Sequence, residues 1–115
     1  MNKGHVEIVA VYDRRYWNFY VDGVYTPGTY KGCFTEDIFR SDVRKHLAKM
    51  AGVKPQDLRF TVYSQFEDQM AAHRPDYDAN DYDDYSAFQN AVQTYGITPD
   101  AKAIKVDLET LEKQY

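Results

Sequence analysis

The stretch YWNFYVDGVYT, Tyr16 to Thr26, decides the fold class. Two runs rich in aromatic and β-branched residues flank Asp22-Gly23. Such residues favour a pleated, half-buried surface. Asp-Gly favours a two-residue type I′ hairpin, because both central positions of that turn need positive φ. On the N-terminal side, HVEIVAVY, His5 to Tyr12, reads as another strand. Val6, Ile8 and Ala10 fall on one of its faces and Val9 and Val11 on the other, a pattern that suits a strand covered on both sides. Asp13-Arg14-Arg15 supplies the turn between the two strands. On the C-terminal side, Val24 to Thr26 begins a third strand, which Pro27-Gly28 is expected to end. The first thirty residues thus predict a three-stranded antiparallel meander.

Beyond the meander, Thr35 reads as a helix N-cap, with Glu36 and Asp37 in the first turn, where the helix dipole favours acids. Ile38, Phe39, Val43, Leu47 and Met50 form an apolar stripe, and Arg40, Arg44, Lys45 and Lys49 are expected on the charged remainder. Gly52 and Pro55 end this helix. LRFTVY, Leu58 to Tyr63, alternates, with Leu58, Phe60 and Val62 inward and Arg59, Thr61 and Tyr63 outward. Ser64 to Glu67 fits a capping box and favours a short helix to about His73 over a continuing strand. Ser86 and Gln89 open a further helix that Gly96 closes. AKAIKVDL, Ala101 to Leu108, reads as a strand with Ile104, Val106 and Leu108 aligned, followed by a short helix or frayed tail. The expected fold is a single α+β domain over residues 1–115. Its mostly antiparallel sheet combines the meander with two later strands, and its helices pack on one face.

The totals exclude several classes. A chain of 115 residues with 43% hydrophobic content builds one core without needing a disulfide or a metal. Its one cysteine, Cys33, allows no intrachain disulfide and suits a reducing, cytoplasmic setting. The start, MNKGHVEIVAVYDRR, lacks the apolar core of a signal peptide, and no run of about 18 apolar residues suggests a membrane span. His5, His46 and His73 are scattered without metal-ligand spacing. Gly23, Gly28 and Gly32 follow no phosphate-binding pattern.

The feature left over is PDYDANDYDDY, Pro75 to Tyr85. Between Glu67 and Asp84 stand seven acids (Glu67, Asp68, Asp76, Asp78, Asp81, Asp83 and Asp84) against one base, Arg74. That segment carries −6, so the rest of the chain carries +2 of the overall −4. Asp76, Asp78 and Asn80 match the first ligands of a calcium loop. Asp81 stands where that loop needs glycine and Ala87 where it needs a bidentate glutamate, so neither a metal nor a cofactor is expected. Asp83 and Asp84 could share acid–base work only in a pocket, and no enzyme activity is expected. Interleaved Tyr77, Tyr82 and Tyr85 can add contact area and stack on arginine. The expectation is a non-enzymatic interaction surface, made of these seven acids and three tyrosines. It would dock on a basic, nucleic-acid-binding protein in the way of nucleic-acid-mimic inhibitors of phage or mobile-element type. The alternative is single-stranded nucleic-acid binding, with Tyr16, Trp17, Phe19, Tyr20 and Tyr25 as stacking platforms and Arg14 and Arg15 beside them. An exposed edge at Val24–Thr26 or Ala101–Leu108 would also allow a homodimer.

Overall fold

Asp22 and Gly23 both adopt positive φ, 50° and 86°, as a type I′ turn requires. The hairpin they close joins β2 (Tyr16–Val21) to β3 (Val24–Lys31), and β2 also pairs antiparallel with β1 (Val6–Asp13). The computed structural model describes residues 5–13, 15–32, 34–78 and 82–114, leaving aside the side chains at 27–29, 113 and 114. Arg14, Cys33, Asn80 and Asp81, singled out above, lie outside the described residues. β3 does not stop at Pro27-Gly28. It runs on to Lys31 through a register shift opposite Trp17–Phe19. A proline is tolerated there because β3 is an edge strand and needs no amide donor on its outer side.

Among the described residues the sheet has four strands in the order β3-β2-β1-β4, and it is mostly antiparallel. β4 (Leu58–Tyr63) lies parallel to β1, with Val6 opposite Leu58 and Val11 opposite Tyr63. β2 is already paired on both sides, and β4 takes the free edge of β1. The connection that carries the chain from one edge to the other is a 3-10 turn at Thr35–Phe39 followed by α1 (Ser41–Ala51). The expected first helix is thus broken at Arg40, whose extended ψ of 150° interrupts it. Gly52, at φ 72°, ends it as expected.

Helices cover both faces of the sheet, where the sequence suggested one. On the first face Ile8, Ala10, Trp17, Phe19, Leu58 and Val62 pack against Ile38, Phe39, Val43 and Leu47. On the second, Val9, Val11, Tyr20 and Tyr63 pack beneath α2 (Phe66–His73) and α3 (Tyr85–Tyr95) through Phe66, Met70, Phe88 and Ala91. Tyr63, expected outside, is buried by this second layer. The split of β1 between its two faces follows the expected alternation.

The segment expected as a last strand is instead a helix, α4 (Ala103–Gln114). Ala103, Val106, Asp107, Thr110 and Leu111 turn inward at helical spacing, while Ile104 and Leu108, aligned in the strand reading, stand 65% and 56% exposed. Asp107 forms an ion pair with Arg44, which is wholly buried between the rings of Phe39 and Phe60. Arg44 was expected among solvated charges. Its partner lies too far along the chain for local spacing to reveal. Residues ahead of α4 also close the outer edge of β4, where the Asp100 amide donates to the Val62 carbonyl at 2.6 Å. The edge for a second copy expected at Ala101–Leu108 does not exist, and among the described strands β3 lies at the other margin of the sheet.

Candidate functional site

α2 ends at His73, and the Tyr77 amide donates to the Arg74 carbonyl at 3.0 Å, turning the chain back over the second face of the sheet. The tyrosines of the acidic segment point into that face. Tyr77 and Tyr82 meet the Phe66 ring edge-on at 6.0 and 5.6 Å, and Tyr85 meets Tyr20 at 5.1 Å and lies against the hairpin turn at Gly23. Tyr82 is only 9% exposed, and its carbonyl accepts a hydrogen bond from the Tyr20 hydroxyl. Aromatic rings packed edge-on contribute beyond their buried area. The three tyrosines expected to supply contact area are thus mainly anchors, with Tyr77 and Tyr85 half-buried.

With the rings held inward, the carboxylates of Asp76, Asp78, Asp83 and Asp84 face solvent. Asp76 meets Arg74 at 3.5 Å, and the hydrogen bond from that guanidinium holds its carboxyl below the usual carboxylate range. Asp84 is the N-cap of α3, accepting from the Ser86 amide at 3.3 Å, so the helix is capped two residues earlier than Ser86 suggested. The negative segment also marks its surroundings. Burial raises the Tyr20 hydroxyl well above its ordinary range, with Tyr25, Asp83 and Asp84 adding to the rise. Tyr25 is raised as well, by burial first and then by Asp83.

Glu67 and Asp68 stand apart from this ribbon, in the first turn of α2. With Glu36 and Asp100 they line a cleft of about 360 Å³ at the carboxyl ends of β1 and β4. Neither Glu36 nor Asp100 was singled out from the sequence, because nothing local ties them to residues 67 and 68. Among the described residues no group of three or more His, Cys, Asp or Glu side chains is placed to hold a metal ion, and no helix is long and apolar enough to cross a membrane.

The stacking platform of the alternative reading is largely dismantled. Trp17, Phe19 and Tyr20 are buried, leaving Tyr16 exposed and Tyr25 half-buried. Compared with protein-family models, with curated proteins and with solved structures, the chain gives no match.

Proposed function

We propose that this domain is a non-enzymatic interaction module of the cytoplasm whose acidic ribbon docks on a basic, nucleic-acid-binding protein. The observation that carries the reading is the division of labour within residues 76–85. The tyrosines bury themselves against Phe66, Tyr20 and Phe88, while Asp76, Asp78, Asp83 and Asp84 stay in solvent. A purely solvating tether would leave its aromatics wet or lack them. Fixed carboxylates along a backbone present a basic groove with spaced negative charge, as a phosphate chain does. Arg74 engages Asp76 at an exposed site, where an ion pair contributes little and is easily exchanged for a partner's arginine. Solvated carboxylates of this kind attract and accept hydrogen bonds.

The test is parallel capture from the native source with the wild-type domain and with the variant D76N/D78N/D83N/D84N. Asparagine keeps the capping acceptor at position 84, so the fold is expected to survive. A basic protein retained by the wild type, released by duplex DNA as competitor and bound at least about tenfold more weakly by the variant supports the reading. Equal retention by the two proteins would refute it.

A further inference from the structure

We propose that α4 pairs antiparallel with α4 of a second copy of this chain, through Ile104 and Leu108. The strand edge expected to join two copies at Ala101–Leu108 is absent, but the helix that replaces it leaves an apolar stripe in solvent. This association is separate from the acidic ribbon and does not depend on it.

Two features of α4 point to such a partner. The first is a seam. Ala101, Ile104, Leu108 and Leu111 follow one another at intervals of three, four and three residues, the spacing at which helices pair side by side. Ile104 is 65% exposed and Leu108 56%, with Ala101 exposed beside them and Leu111 half-buried. The stripe cannot roll inward, because Ala103 is buried in the core of the first face and Asp107 is tied to Arg44 on α1. The second feature is charge. Among the described residues, the exposed charged side chains beside the seam are Lys102 and Lys105 towards the start of the helix and Glu109 and Glu112 towards its end. An antiparallel partner sets each basic half against an acidic half. A parallel partner would set like against like.

The register follows from the seam. With the two-fold axis beside Val106, Ile104 of one copy covers Leu108 of the other, and Ala101 covers Leu111. Lys102 then stands within a helical turn of the other copy's Glu109 and Glu112, and Lys105 within a turn of its Glu109. Lys105 meets Glu109 of its own helix at 4.0 Å, an exposed pair weak enough to be shared across the interface. Lys105 also approaches its own counterpart across the axis, which limits the affinity. A single helix pair buries less than the roughly 1,600 Å² of a standard interface, so the dimer is transient, with a Kd on the order of 100 µM. α4 packs on the first face of the sheet and the ribbon lies over the second, so pairing leaves both ribbons uncovered.

Sedimentation velocity at low salt, from about 5 µM to about 1 mM protein, reads the association. The wild type is expected to pass from monomer towards dimer across that range. Association should weaken about threefold in about 0.5 M sodium chloride, which screens exposed charges. I104E/L108K should associate at least about tenfold more weakly, because it sets charge against charge in an apolar seam. Its unfolding at micromolar concentration, where the wild type is monomeric, should match the wild type, which separates a lost interface from a lost fold. K102E/K105E and E109K/E112K should each associate more weakly than the wild type, and their equimolar mixture at least as tightly as the wild type. A wild type still monomeric at about 1 mM, an I104E/L108K that dimerises as the wild type does, or a mixture no tighter than its separate components would overturn the proposal.

Discussion

Arg44 shows how one residue can change sides. Its neighbours Lys45 and Lys49 are solvated, yet its guanidinium is enclosed by Phe39, Phe60, the Pro55 carbonyl and Asp107. A buried charge needs a countercharge, because desolvation otherwise outweighs what packing returns. D107A is expected to destabilise the domain by about 3 kcal/mol, the low end for a broken buried pair, since Pro55 and the two rings remain. The double change R44M/D107L should recover most of that loss, as read by denaturant unfolding. If D107A were neutral, the pair would not be tying α4 to α1. Tyr20 makes a second residue-scale case. Its hydroxyl is protonated in the fold at a pH where the unfolded chain, titrating near 10, ionises. The corresponding stability is therefore complete below pH 10 and drains away as pH climbs from there toward the raised folded value. Alkaline unfolding should appear as a cooperative rise in phenolate absorbance coincident with loss of circular dichroism. Y20F should flatten that pH dependence and cost about 1 kcal/mol at neutral pH through the lost bond to the Tyr82 carbonyl. Independent titration of every tyrosine near its ordinary value, with the fold intact, would contradict this.

At the level of elements, α4 is the instructive case. Ile104, Val106 and Leu108 alternate as a strand would, and over eight residues period two and period 3.6 are hard to separate. What settles the matter lies elsewhere: Arg44 demands Asp107, and the edge of β4 is already closed by Asp100. I104E/L108K, which adds a helical i,i+4 pair on a solvated face, should alter stability by no more than about 0.5 kcal/mol. A103D, which buries a carboxylate beneath the helix, should cost at least about 2 kcal/mol. The reverse ranking would restore the strand. The elements read correctly from sequence are those whose signals are local. The type I′ turn at Asp22-Gly23, the glycine caps at Gly52 and Gly96 and the two-faced β1 each depend on a few adjacent residues. The same limit governed the site. The acids of 76–84 are visible in any composition scan, whereas the inward turn of Tyr77, Tyr82 and Tyr85 depends on Phe66 and Tyr20 across the fold. The cleft joins Glu36 to Asp68 and Asp100 through three-dimensional packing alone.

For the molecule as a whole, charge and topology act together. A segment of −6 on a body of +2 gives the domain a directed field, and salt should slow its association with a basic partner. The association rate is expected to fall steeply between low and physiological ionic strength in the wild type and to fall less in D76N/D78N/D83N/D84N. A matching salt slope in the two proteins would argue that the ribbon does not steer encounter. The topology has its own consequence. β1 is central, pairing with β2 almost at once in the chain but with β4 only after Leu58 has been made, and both of its faces are greasy. On the ribosome, the newborn meander therefore emerges with neither layer of its roof in place. For that interval it is a natural client for chaperones that hold nascent chains.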